Sequence, residues 1–286
     1  MTEKFEAMIG QVHAVHITQK VSIAEAATFG CCEMENVYVG RIGDKDGEKI
    51  FTAKENSGCF ERCFCAPLNS LLLEISDPED NVIYTLERPG CCFAKPCLGV
   101  VPCMDMCVEE MTLHDGHKSG DPGGLDDPAP VFKVKQSTAC EAMCAPELKV
   151  IYEGVETPSM TITGPQCFGG CSELCCDSKF EAVNKSGDPA GEVKKLAPRD
   201  CSSVCAEMFT DSDKYLVTFE ADNSADDKAA LLTSAFLVDF MYFEADQGML
   251  NCRNGNCSAT CCLCYCMGCT IPWNCYCPGS KGEEEK

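Results

Sequence analysis

The sequence predicts a mainly β domain with one short helix buried as its plug. Three observations carry this prediction: a hairpin plan repeated along the chain, an all-round apolar helical run too short for a bilayer, and a size suited to one core. The chain has 286 residues, 45% of them hydrophobic, and β barrels of this length are commonly one domain.

The elements follow from local patterns. Val12 to Val21 reads as a first strand. RIGDKDGEKIFTAKE, LLLEISDPEDNVIYTLERP and KFEAVNKSGDPAGEVKKL each place a tight polar turn between two apolar alternating runs, at Asp44–Gly47, Asp77–Asn81 and Asn184–Asp188. Each is expected to be a β-hairpin. Val131–Lys135 and Lys149–Tyr152 add strands, and Tyr215, Val217 and Phe219 alternate with polar or exposed positions at the period of a half-buried strand. His114 to Pro130, with Gly120, Pro122, Gly123, Gly124 and Pro128, reads as a mobile loop that leaves His114 and His117 in solvent.

Ala229 to Phe243 is almost wholly apolar, lacks Gly and Pro, and opens behind Asp226 and Asp227, which suit a helix N-terminus. A helix apolar on every side must be buried. Its length of roughly 22 Å falls short of a hydrocarbon core of about 30 Å. Asp239 inside it would be costly in lipid but is tolerated in a protein core if a donor pairs with it. Protein, rather than membrane, is expected to enclose this helix.

Charge narrows the function classes. A net charge of −22 argues against nucleic-acid binding, which draws on Lys and Arg. It equally opposes adhesion to an anionic leaflet, which attracts basic segments. MTEKFEAMIGQVHAVHITQK has no continuous apolar core, so no signal peptide is expected and synthesis in the cytosol is.

Cysteine is the other unusual feature. The 27 residues are odd in number and cannot all pair within one chain, and disulfides do not persist in a reducing compartment. Free thiols, metal ligands and acylation sites remain. The cysteines fall between the hairpins, which return the chain to the end where it began, so one thiol-rich rim is expected. The spacing C-x-x-x-C recurs at Cys59 and Cys63, Cys103 and Cys107, Cys140 and Cys144, Cys167 and Cys171, Cys171 and Cys175, Cys201 and Cys205, and Cys257 and Cys261. Two such pairs converging would make a tetrahedral zinc site. After Glu244 comes a segment with nine cysteines between Cys252 and Cys277. Cys257, Cys261, Cys262, Cys264, Cys266, Cys269 and Cys275 are its candidate zinc ligands, with acylation the competing use.

The segment EMFTDSDKYLVTFEADNSADDKAALLTSAFLVDFMYFE, Glu207 to Glu244, together with LLLEISDPEDNVIYTLERP and MTITGPQCFGGCSELCC, resembles the phospholipid scramblase family from about Val12 to Glu244. The resemblance implies a tubby-like fold, a closed barrel of about twelve antiparallel strands around a central C-terminal helix. It implies a barrel domain over residues 12–244 and leaves 245–286 as a Cys-rich tail outside the family pattern. It further implies a calcium motif at Asp211, Asp213, Tyr215, Val217, Phe219 and Asp222. In an extended strand Asp211 and Asp213 share a face, whereas Asp222 falls on the other unless a bulge intervenes. Cys91, Cys92, Cys97 and Cys103 match the family's palmitoylated cluster, and two or more acyl chains give stable anchoring. Small buried hydrophobes are the plainer reading of those thiols.

No Walker loop, dinucleotide fingerprint or nucleophile elbow is present, so no covalent catalysis is expected. The expected function is calcium-dependent, ATP-independent movement of phospholipids between leaflets, at the cytosolic face of a plasma or mitochondrial membrane. The alternative is a non-transporting tubby-like protein that grips lipid, metal or protein partners with its Cys-rich rim and tail.

Overall fold

The computed structural model describes residues 3–20, 36–56, 70–89, 108–118, 127–199, 213–243, 250–253 and 256–277. A short helix α1 (Glu3–Ile9) leads into β1 (Ala14–Lys20), β2 (Val37–Ile42), β3 (Lys49–Glu55), β4 (Leu71–Ser76), β5 (Val82–Arg88), β6 (Glu110–Asp115), β7 (Pro130–Gln136), β8 (Glu147–Tyr152) and β9 (Met160–Thr163). A two-residue strand β10 (Cys167–Phe168) and a 3-10 turn (Gly170–Leu174) precede β11 (Ser178–Asn184), β12 (Pro189–Lys195) and β13 (Lys214–Phe219). The helix α2 (Ala225–Val238), a π-wound turn (Asp239–Phe243) and strands β14 (Leu250–Arg253), β15 (Asn256–Cys266) and β16 (Cys269–Cys277) complete the chain.

Twelve strands, all of β1 to β13 except β10, close into a barrel. Every neighbour pair is antiparallel, and closure is made where β1 pairs β13, with Val15 opposite Val217. Strand alternation decides what is inside. On β4, Leu71, Leu73 and Ile75 are buried while the residues between them are half-buried, and on β13 Tyr215, Val217 and Phe219 do the same.

The barrel is filled by α2, as its all-round apolarity requires. Every residue from Lys228 to Phe240 is buried, and full burial of each Leu, Val or Phe is worth about 1.5–3 kcal/mol. The helix starts at Ala225, earlier than its apolar run, because Ser224 caps it. Ser224 Oγ accepts from the Asp227 amide at 3.1 Å and Asp227 Oδ2 accepts from the Ser224 amide at 3.1 Å, a capping box. Close packing of α2 on β12 depends on Gly191, at φ +128°, where a Cβ would sit 2.3 Å from the Thr218 carbonyl oxygen and 2.9 Å from Leu231.

Alternating strand directions sort the connections between two rims. The tight turns at Asp44–Gly47, Asp77–Asn81 and Asn184–Gly187 lie at one end with α1 and the start of α2. The connections after β1, β3, β5, β7, β9 and β12 leave from the other end, where α2 finishes. All eighteen cysteines that precede Glu244 fall in those six connections of the sequence.

One loop expectation is corrected. His114 belongs to β6 and is buried, with Nδ1 3.0 Å from the Pro128 carbonyl oxygen and Nε2 3.1 Å from Glu87. The threonine and leucine beside it continue the strand alternation, and the glycines that signalled a loop come only after it. His117 is exposed, 3.3 Å from Glu74. No helix among the described residues is long and apolar enough to cross a membrane.

Candidate functional site

The rim where α2 ends carries the features that distinguish this barrel. Asp239, the first residue of the π turn, is buried at the top of the interior and accepts hydrogen bonds from two tyrosines. Tyr38 on β2 donates to Oδ2 and Tyr215 on β13 donates to Oδ1, each at 2.6 Å. Both tyrosines point inward because their strands alternate, so a buried acid meets two buried hydroxyls. Burial pushes the Asp239 carboxyl up to about 8, helped by the nearby Asp213 charge and opposed by the tyrosine hydrogen bonds.

Beside it lies a buried ion cluster. Lys195 at the end of β12 is 2.9 Å from Asp213 Oδ1 and 2.8 Å from Glu173 Oε2, with its ammonium 4.0 Å from the centre of the Phe243 ring. Burial acts against the Lys195 charge, but Asp213 and then Glu173 outweigh it and hold the ammonium above the ordinary lysine range. Phe168, Tyr242 and Phe243 pack edge to face over this group, with ring centres 5.1 and 5.7 Å from Phe168.

Deeper in, the void between α2 and the wall, lined by Phe5, Phe51, Tyr84 and Phe236 among others, has a volume of about 10 Å³. That is room for one water at most, far below a lipid headgroup.

Five of the six residues expected to form the calcium motif are described, and they lie along β13 or just beyond its ends. Asp211 lies outside the described residues. Asp213 is buried against Lys195 at the cysteine-bearing rim, and Tyr215, Val217 and Phe219 face the core. Asp222 is exposed past the opposite end of β13. Asp213 and Asp222 therefore do not converge on one ion, because six extended residues span about 20 Å. The Lys195 partnership was not legible in the sequence, since it depends on β12 and β13 pairing with Lys195 opposite Tyr215.

Cys91, Cys92, Cys97 and Cys103 also lie outside the described residues. The strand ends that flank them, Arg88 of β5 and Glu110 of β6, are at the same rim as Asp239. Described thiols of this rim, Cys140, Cys144, Cys167, Cys175 and Cys176, are exposed.

The tail is seated on this rim as a small sheet. Strand β15 pairs with β10 and β14 along one edge and with β16 along the other. The amide of Tyr265 donates to the Gln166 carbonyl at 2.7 Å and that of Met267 to the Met143 carbonyl at 2.9 Å. Tyr265 is buried in the barrel's core cluster, and Met267 and Gly268 make the β15–β16 turn with positive φ. Of the tail cysteines expected to bind metal, Cys262 and Cys264 come together with Cys167 of the barrel, all three Sγ atoms within 4.8 Å of one another. The Cys261 thiol donates to the Ala259 carbonyl oxygen at 3.9 Å, and Cys275 lies opposite Ala259 in the ladder. Cys266 and Cys269 face each other beside the hairpin turn, and Cys257 is paired with Cys277 in the ladder. The C-x-x-x-C pairs do not organise this cluster; the β10–β15 register does, and no sequence spacing announces it.

A closed barrel of twelve antiparallel strands, filled by an apolar helix and charged at one rim, defines a helix-plugged β-barrel. The chain belongs to the Scramblase family, whose pattern matches residues 2–245. It is 29% identical to phospholipid scramblase 2 of Bos taurus over 242 residues, 29% to phospholipid scramblase 1 of Homo sapiens over 237, and 28% to phospholipid scramblase 1 of Mus musculus over 240. These alignments cover 83%, 83% and 82% of the chain, and 71%, 65% and 62% of the relatives' own lengths. No solved structure gives a significant match.

Proposed function

We propose that this protein moves phospholipids between the leaflets of a membrane without ATP and in response to calcium, working from the cytosolic face. The family match over residues 2–245 carries the reading, because it takes in every strand of the barrel and the helix within it. The movement involves no covalent chemistry.

Geometry favours the cysteine-bearing rim as the membrane-facing end. Acyl chains on Cys91, Cys92, Cys97 and Cys103 would anchor the protein despite its charge of −22. Ile271, Trp273 and Tyr276 are exposed on the outer strand of the seated tail, and aromatic residues of this kind suit a membrane interface. Lipid does not pass through the closed interior, whose void by α2 is about 10 Å³; it crosses where the rim engages or opens. Calcium acts at the Asp211–Asp213 end of β13, competing with Lys195 for the Asp213 carboxylate. Loss of that ion pair loosens the Phe243 seal and shifts the protein toward its membrane-engaged state.

Reconstitution into liposomes with a leaflet-specific fluorescent lipid tests this. Calcium-stimulated flipping is expected, with at least a tenfold weaker calcium response in Asp211→Ala and in Asp213→Asn preparations that still show a cooperative thermal melt. Liposomes that stay inert with and without calcium would favour the second reading, a non-transporting barrel that binds lipid or protein partners at the same rim. The helix-filled interior is the observation that keeps that reading in view.

A further inference from the structure

We propose that Cys167, Cys262 and Cys264 form a three-thiolate site for one thiophilic divalent cation, zinc, which locks the C-terminal sheet onto the barrel rim. The site joins two parts of the chain that no motif links. Cys167 on β10 stands directly opposite Cys264 on β15, their Sγ atoms 2.8 Å apart. Cys262 lies two residues along β15 on the same face, and the three sulfurs lie within 4.8 Å of one another. Zinc–sulfur bonds of about 2.3 Å at tetrahedral angles set the sulfurs about 3.8 Å apart, so small side-chain rotations complete the geometry. A disulfide would use two of these thiols and strand the third; a metal uses all of them.

The site lies at the surface of the seated sheet, with Cys167 exposed. Cys262 faces Trp273 and Cys264 faces Ile271 across the β15–β16 ladder, so apolar side chains flank the sulfurs on the side away from the barrel. The fourth position is left to water. Zinc is held by thiolates, so binding one Zn²⁺ to the three thiols releases three protons to solvent and leaves three thiolates and the ion with a net charge of −1. A cross-link also fits the local need, since β10 contributes only two residues to the ladder that holds the tail. The inference stands independently of lipid movement.

The experiment uses the full chain, reduced and metal-free, without membranes. One equivalent of Zn²⁺ is added, the protein is alkylated with iodoacetamide, and the labelled cysteines are mapped by mass spectrometry. Cys167, Cys262 and Cys264 are expected to alkylate at least tenfold more slowly together. The substitution Cys167→Ser should restore labelling of the other two, whereas Cys140→Ser, which removes an exposed thiol elsewhere on the rim, should change nothing. Trp273 is the chain's single tryptophan and gives a second readout: one equivalent of Co²⁺ should quench its fluorescence in the parent chain and not in Cys167→Ser. Alkylation of Cys167 at its metal-free rate while zinc protects other thiols would overturn the site. So would a Cys167–Cys264 disulfide in protein isolated under thiol reductant. The parent-chain map decides the matter even if a variant folds poorly.

Discussion

Asp239 shows how one residue can be half readable. Its presence in an apolar helix demands a buried partner, and the sequence states that demand without naming Tyr38 or Tyr215. Its carboxyl titrates near 8 in the folded protein, against about 3.9 in an unfolded chain. The folded state therefore binds the extra proton between those values. The stability this contributes is complete below about pH 3.9 and is lost as pH rises through about 8. Asp239→Asn keeps a neutral polar group between the tyrosines. Relative to that variant, the parent chain should lose on the order of 4 kcal/mol of stability between pH 5 and pH 8.5. Urea unfolding at the two pH values checks it, and a parent–variant gap that does not move with pH would mean the native carboxyl is already ionised.

Among elements, the central helix was the most legible and its attachments the least. The run from Ala229 to Phe243 declared burial on every side, but not that Lys228, one residue before it, would be buried with it. Lys228 Nζ donates to the carbonyls of Ile9, Gly10 and Val12 at 3.2, 2.9 and 2.9 Å. It thus donates to carbonyls at and just after the end of α1 and ties that short helix to α2. Burial lowers its pKa, but the three carbonyls give the ammonium a full shell. Lys228→Met removes the donor from the Gly10 and Val12 carbonyls, while Ile9 keeps the Val12 amide at 3.0 Å, and should cost about 2–4 kcal/mol. Amides of residues 3–12 should then exchange with solvent faster than those of the barrel strands. Equal protection in both chains would show that α1 is held by its apolar face, through Phe5 and Ile9, instead.

At the scale of the whole molecule, polarity between the two rims is the organising fact. One end carries tight turns; the other carries the cysteine-bearing connections, the ion cluster of Lys195 and the seated tail. With a net charge of −22, an anionic bilayer repels the molecule as a whole, and on the proposed function acyl chains supply the attachment. Replacing Cys91, Cys92 and Cys97 together by Ser should move most of the protein from the membrane to the soluble fraction of cells. It should also abolish the hydroxylamine-sensitive mass increments of the intact chain, each about that of one fatty acyl group. Retention on membranes without such increments would assign the attachment to the tail or to a partner.

The sequence by itself determined the class of the fold, the strands of the hairpins and the burial of the run that begins at Ala229. Each of these is local: side-chain period, turn chemistry and helix length act within a dozen residues. Only the tertiary structure decided that Asp213 pairs with Lys195, that His114 is buried in β6, that the tail docks on the barrel and that Cys167 meets Cys262 and Cys264. Those pairings depend on strand register between segments tens of residues apart, and register is fixed by the closure of the barrel as a whole.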